Sequence, residues 1–280
     1  MKRIAVTPCI CAALGVCTLT GAAAPTASAA LPELGRCVQV EGVKEGRKTI
    51  YHGNYGNRNC TREKPGTGKY EWSPEAGTEK TFSGAGSAEA ATLETVGGRQ
   101  IACGVGRSEG EYTGAKTEKL TFTLNSCEET ALHVPCQSVN PEEKEVKPIE
   151  GTIKTLPLEG ELGFISAGEK PVVGWAIKPA IGSDIAVFEC GTTLGLGTKV
   201  VVEGAFITTV KRPLDRMAEE FHQRYAAIDG KQTPEQLEGG ATDTLTASFL
   251  TGLEETSEEA GYIAKEELYV EEPLEIKAKL

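Results

Sequence analysis

Short alternating runs broken by glycine and proline constrain this chain more than any other feature. Thirty-three Gly and 14 Pro punctuate its 280 residues. The stretches between them alternate apolar and polar side chains with period 2, which puts one face of an extended segment in a core and the other in water. Residues 118–124 are the cleanest case: Leu120, Phe122 and Leu124 share one face, and Lys119, Thr121 and Thr123 share the other. Val173, Trp175 and Ile177 repeat the pattern, as do Leu245, Ala247 and Phe249, and Leu274, Ile276 and Ala278. Residues 185–188, 92–96 and 100–103 also read as strands, the last two joined by a hairpin turn at Gly97-Gly98. Residues 199–202 and 206–210 flank Glu203-Gly204, which suits a second tight hairpin. Many short strands with frequent turns predict a mainly β chain with little helix, either an antiparallel β-sandwich or a barrel-like fold.

One segment dissents. Leu214, Met217, Phe221 and Tyr225 fall at helical spacing between Pro213 and Gly230, so local preference favours a helix over 213–229. The alternative is a strand through Phe221 and Tyr225, imposed by surrounding sheet.

The first 29 residues have the layout of an export signal. Lys2 and Arg3 precede an uncharged apolar stretch, and Ala27-Ser28-Ala29 follows as a small-residue cleavage site. Leu14-Gly15-Val16-Cys17 suggests an alternative, a surface lipoprotein anchored through Cys17, although Val16 stands where a small residue is wanted. Of nine Cys, six lie beyond the signal: Cys37, Cys60, Cys103, Cys127, Cys136 and Cys190. An even count in an oxidising compartment predicts three disulfides. Partners close in sequence close smaller loops and meet first, which favours Cys37–Cys60, Cys103–Cys127 and Cys136–Cys190. Residues 138–151, with two Pro and the run Glu142-Glu143-Lys144-Glu145, have the composition of an exposed connector. It divides an N-terminal β region, 30–137, from a C-terminal one, 152–280. The same stretch also fits a long loop inside a single domain, 30–280.

Without Lys2 and Arg3 the chain carries 27 basic and 40 acidic side chains, a net charge of −13. Such a surface repels nucleic acid, and no later stretch is apolar enough to span a membrane. Only four acids are Asp, and they are far apart, so no calcium loop is present. The three His, at 52, 133 and 222, show no metal-ligand spacing. Neither a metal nor a cofactor is expected.

Gly106-Arg107-Ser108-Glu109-Gly110 matches the serine-hydrolase string G-x-S-x-G, with Asp184 or Asp215 and His222 following as acid and base. That string requires a helix after the serine, whereas Glu111-Tyr112-Thr113-Gly114 leads into another strand, so a hairpin turn is the simpler reading. Tyr51, Tyr55 and Trp72 lie near several Asn and form a candidate aromatic patch for a cell-wall or glycan ligand. Packing of these rings on the core competes with that. The pairs Glu254-Glu255, Glu258-Glu259 and Glu266-Glu267 read as solvated faces.

Several strings recur together: Leu-Pro-Glu-Leu-Gly-Arg-Cys at 31–37, Ala-Thr-Leu-Glu-Thr-Val-Gly-Gly at 91–98, and Gly-Lys-Gln-Thr-Pro-Glu-Gln-Leu-Glu-Gly-Gly at 230–240. On these the chain resembles uncharacterised secreted proteins of high-GC Gram-positive soil bacteria. The resemblance implies export, and it favours the strand alternative over 217–227. It implies no activity, cofactor or site residue. The expectation is therefore a secreted non-enzymatic protein, either a binding module or an envelope-associated structural protein. A secreted serine hydrolase using Ser108 and a secreted inhibitor or effector are the alternatives.

Overall fold

A computed structural model describes residues 31–74, 80–87, 89–139, 149–191 and 197–279. The expected signal, with Cys17, and most of the 138–151 connector lie outside the described residues. Every described regular element is a strand.

The architecture follows from one long strand. β23 (Glu254–Lys277) keeps its even-numbered side chains inward from Ala260 to Val270, and each half of it closes a separate eight-stranded antiparallel ring. The lower ring consists of β7 (Thr81–Gly86), β10 (Gly106–Tyr112), β11 (Thr117–Leu124), β15 (Leu158–Ser166), β16 (Val172–Pro179), β19 (Phe206–Arg212), β20 (Ala218–Ile228) and the second half of β23. Its circuit runs β7–β10–β11–β15–β16–β19–β20–β23 and back to β7. The upper ring consists of β8 (Ala91–Thr95), β9 (Gln100–Cys103), β12 (Glu128–Glu129), β13 (Val134–Ser138), β17 (Asp184–Cys190), β18 (Thr198–Gly204), β22 (Leu245–Thr251) and the first half of β23. It closes in that order, β23 pairing back to β8. Closure leaves neither ring with a free edge to pair with another chain. Each ring combines a block of strands from before the 138–151 segment with a block from after it.

An outer sheet lies against the lower ring. β1 (Glu33–Gln39) pairs with the end of β23 and with β6 (Tyr70–Pro74), which continues to β4 (Gly53–Tyr55) and β5 (Glu63–Gly68). The hairpin β2 (Val43–Glu45) and β3 (Lys48–Ile50) projects from it. β14 (Ile153–Lys154) pairs with the end of β11, and β21 (Lys231–Thr233) with the end of β20.

One continuous apolar core fills both rings. Trp175, Phe188, Phe221, Leu158 and Ile177 are fully enclosed, and each such side chain contributes roughly 1.5–3 kcal/mol of burial. Three disulfides join Cys37 to Cys60, Cys103 to Cys127 and Cys136 to Cys190. Two of them staple the upper ring where its strands are shortest. Cys136 and Cys190 are direct register partners on β13 and β17, and Cys103–Cys127 ties β9 to the start of the two-residue β12.

Two local readings are corrected, and two others are decided. Residues 218–228 are a strand, not part of a helix: Phe221, Gln223 and Tyr225 face inward at period 2, and the segment is paired on both sides. Helix preference is worth tenths of a kcal/mol per residue, less than burying two aromatic rings and completing two ladders. The segments around Glu203-Gly204 are strands, but they form no hairpin with each other. β18 pairs with β17 and β22, and β19 with β16 and β20, so at Ala205 the chain passes from the upper ring to the lower. Alternation identifies strands without naming their partners. The 97–98 hairpin does form, with Val96-Gly97-Gly98 as its loop between Thr95 and Arg99. The positive φ of 83° at Gly98 explains a glycine there. Lastly, Glu266 faces the interior, and only its neighbour Glu267 is solvated.

Candidate functional site: the mouth of the upper ring

A septum of four aromatic rings divides the interior. Phe122 and Phe206 from the lower ring, Tyr225 from β20 and Tyr262 from β23 are all in mutual contact, with centroids 5.2–6.3 Å apart. The chemistry differs on its two sides.

Below the septum the lower ring encloses a polar cluster. Parity puts Glu118 inward with Leu120 and Phe122, and Glu266 inward with Leu268 and Val270. Inward glycines make the room. A Cβ at Gly160 would overlap the Glu118 side chain, and one at Gly84 would overlap both Ser108 Oγ and Glu266 Oε1. Tyr225 donates its hydroxyl to Glu266 at 3.1 Å. Burial, then the charge of Glu266, pushes the Glu118 carboxyl well above the usual carboxylate range. Burial also raises that of Glu266, against the hydroxyls of Ser108 and Tyr225, which favour its charged form. The Ser108 hydroxyl sits close enough to act on Glu266 in this way, yet it makes no well-directed hydrogen bond. A cavity of about 20 Å³ beside Glu266 and Tyr225 has room for one water. Burial thus disfavours the charged form of both carboxyls inside the barrel.

Above the septum the interior is apolar. A cavity of about 70 Å³ lies between the septum and the walls of β8, β9, β17 and β18. Beyond it, at the end of the ring far from the septum, the wall opens into a cleft of about 410 Å³. Ile101 borders both spaces. Among the described residues Val134, Val200, Phe249, Ala131 and Leu132 also line the cleft, and Arg99 and Glu129 are its charged members. The geometry of the rim is built locally. The Glu129 carboxylate accepts the backbone N–H groups of Ala131 and Leu132 at 3.3 and 2.8 Å, fixing the β12–β13 turn with Leu132 exposed. The Arg99 guanidinium stands 4.4 Å over the Phe249 ring and 3.9 Å from Glu258. A ring mouth of this size, apolar inside with few polar groups at its edge, suits a small molecule.

The residues singled out in the sequence are dispersed. Ser108 lies in the middle of β10, is 1% exposed and faces inward. Its G-x-S-x-G string is neither a strand-to-helix elbow nor a hairpin turn. At the same level of the wall, Gly84, Leu268 and Phe221 succeed it strand by strand. His222 is one residue on and faces outward, with Nε2 3.1 Å from Glu220 and Nδ1 3.9 Å from Glu267. The barrel wall separates the pair, and no imidazole hydrogen-bonds Ser108. Asp184 accepts a bond from Ser183, and Asp215 accepts those of Ala278 and Lys279, so neither orients His222. Glu220, His222 and Glu267 form one cluster on the exposed outer wall, their ligand atoms within 4.8 Å of one another.

Tyr55 and Trp72 serve the fold. The buried Lys277 ammonium stands 4.7 and 4.8 Å from their ring centroids, 3.3 Å from the Tyr55 hydroxyl. Trp72 lies across Gly35 and donates its indole N–H to Glu33. Tyr51 borders an open cleft. The mouth of the upper ring was missed because its lining comes from six strands, none distinctive alone. The buried Glu118 carried a signal, since it shares the parity of Leu120 and Phe122.

No helix among the described residues is long and apolar enough to cross a membrane, and the three disulfides fit an extracellular or oxidising environment. Comparison with protein-family models, with curated proteins and with solved structures finds no match.

Proposed function

We propose that this is an exported, non-catalytic binding protein that takes a small, mainly apolar ligand in the mouth of its upper ring. The observation that carries this reading is the cleft of about 410 Å³ lined by Ile101, Val134, Val200, Phe249 and Leu132, within the range of small-molecule sites. The basic start and Ala27-Ser28-Ala29 cleavage site support export. Catalysis through Ser108 draws no support, because its hydroxyl and His222 lie on opposite faces of the wall. A glycan patch built on Tyr55 and Trp72 also loses support, because Lys277 occupies the space between them.

The test is titration with N-phenyl-1-naphthylamine, a neutral apolar fluorophore. Saturable one-to-one binding with enhanced emission is expected. Ala131 is exposed at the rim, so Ala131→Trp fills the mouth without entering the core, and it should weaken binding at least tenfold. Unchanged affinity in that variant would remove the site.

A further inference from the structure

A second surface, on the outer sheet, differs from the rest of the molecule in charge. The chain as a whole carries −11. Between residues 43 and 69, however, seven cations face two glutamates, Glu45 and Glu63, for a net charge of +5. All seven (Lys44, Arg47, Lys48, Arg58, Arg62, Lys64 and Lys69) are exposed, and none forms an ion pair among the described residues. The Cys37–Cys60 bridge fastens the lobe that carries them. Cations left unpaired and gathered on one lobe of an acidic protein form a local positive field that attracts polyanions.

The lobe also contains a cleft of about 300 Å³, between the β2–β3 hairpin and β5, bordered by Tyr51, Lys64, Lys69, Thr49 and Thr67. The Lys69 ammonium stands 5.4 Å from the centroid of the Tyr51 ring. An aromatic ring, two hydroxyls and two ammonium groups match one ligand chemistry, a sugar ring that bears an acidic group. The ring packs against the C–H face, the threonines reach hydroxyls, and the lysines meet the carboxylate or phosphate. We propose that this cleft binds an anionic polysaccharide, with Tyr51 contacting a sugar and Lys64 and Lys69 its acidic group. The strongly negative remainder of the molecule disfavours a wide, densely charged partner such as duplex DNA or an anionic bilayer. A single flexible polymer engages the lobe alone. This site is independent of the upper-ring mouth.

The test uses the full secreted protein with polygalacturonate as the probe, and compares it with neutral dextran, phosphatidylglycerol vesicles and duplex DNA. Binding to polygalacturonate that weakens as salt rises is expected, with none to dextran. Lys64→Glu with Lys69→Glu should weaken it at least tenfold. Tyr51→Ala should weaken it severalfold while leaving the salt dependence unchanged. Lys170→Glu with Lys279→Glu makes the same charge change outside the lobe and should leave binding intact. The denaturation midpoints of all variants are checked first. Two results would overturn the proposal: equal loss in both charge-reversal pairs, or no loss in the Lys64/Lys69 pair. Binding to DNA or vesicles in preference to polygalacturonate would also overturn it.

Discussion

Replacing Glu275 by Gln should change how stability depends on pH. Glu275 lies on β23 opposite Gly35, is 0% exposed, and neither of its carboxylate oxygens has a hydrogen-bond partner. Burial pushes its pKa from an ordinary 4.5 up to about 7, with Lys277 pulling it down and Asp215 adding to the rise. The folded state therefore keeps a proton between pH 4.5 and 7 that the unfolded chain releases. The stabilising contribution is full below the unfolded pKa and is lost as pH rises through the folded one. At about 1.4 kcal/mol per pKa unit, the loss across this window is at most about 3.5 kcal/mol. Gln does not ionise, and near pH 4 both side chains are neutral, so the variant should match the parent within about 1 kcal/mol. By pH 8 it should be more stable by about 2–3 kcal/mol. Urea denaturation followed by tryptophan fluorescence from pH 4 to 8 measures this, and the difference between the two proteins cancels other titrating groups. A difference that stays constant from pH 4.5 to 7.5 would refute the reasoning.

Glu118→Gln should act in the same direction from inside the lower ring, because burial and Glu266 raise its carboxyl well above the usual range. Above pH 5 the parent should lose up to about 1.4 kcal/mol per pH unit through this group. Urea curves for the variant should show that much less slope, and identical slopes would contradict the buried-proton account. Replacing Cys136 and Cys190 by Ala opens a loop with a sequence separation of 54 and should cost about 4 kcal/mol. Non-reducing thermal denaturation checks this, and a midpoint unchanged from the parent would show that the upper ring does not need the bridge.

Strands were legible wherever one face meets a uniform core. The alternations through Phe122, Trp175 and Phe249 lie in β11, β16 and β22, because a side-chain period of two is a local property of extended backbone. Residues 213–229 stayed open between helix and strand for the opposite reason. Leu214, Met217, Phe221 and Tyr225 satisfy a helical period as well, and only pairing with β19 and β23 breaks the tie. The Ser108 string failed because a motif carries its chemistry only in the right turn, and here the backbone around it is straight strand.

The sequence by itself determined that this chain is β, that its cysteines could pair between neighbours, and which residue of each alternating pair turns inward. Parity alone already placed Glu118 on the apolar side. Tertiary structure decided which strands meet. That made two stacked rings out of one set of alternations, sent the chain from one ring to the other at Ala205, and buried Glu266 beside a solvated Glu267. It also drew the apolar mouth from six separate strands and gathered the exposed cations of one lobe around Tyr51. The physical reason is that alternation depends on neighbours along the chain, whereas ring closure, clefts and local charge depend on residues brought together from far apart in sequence.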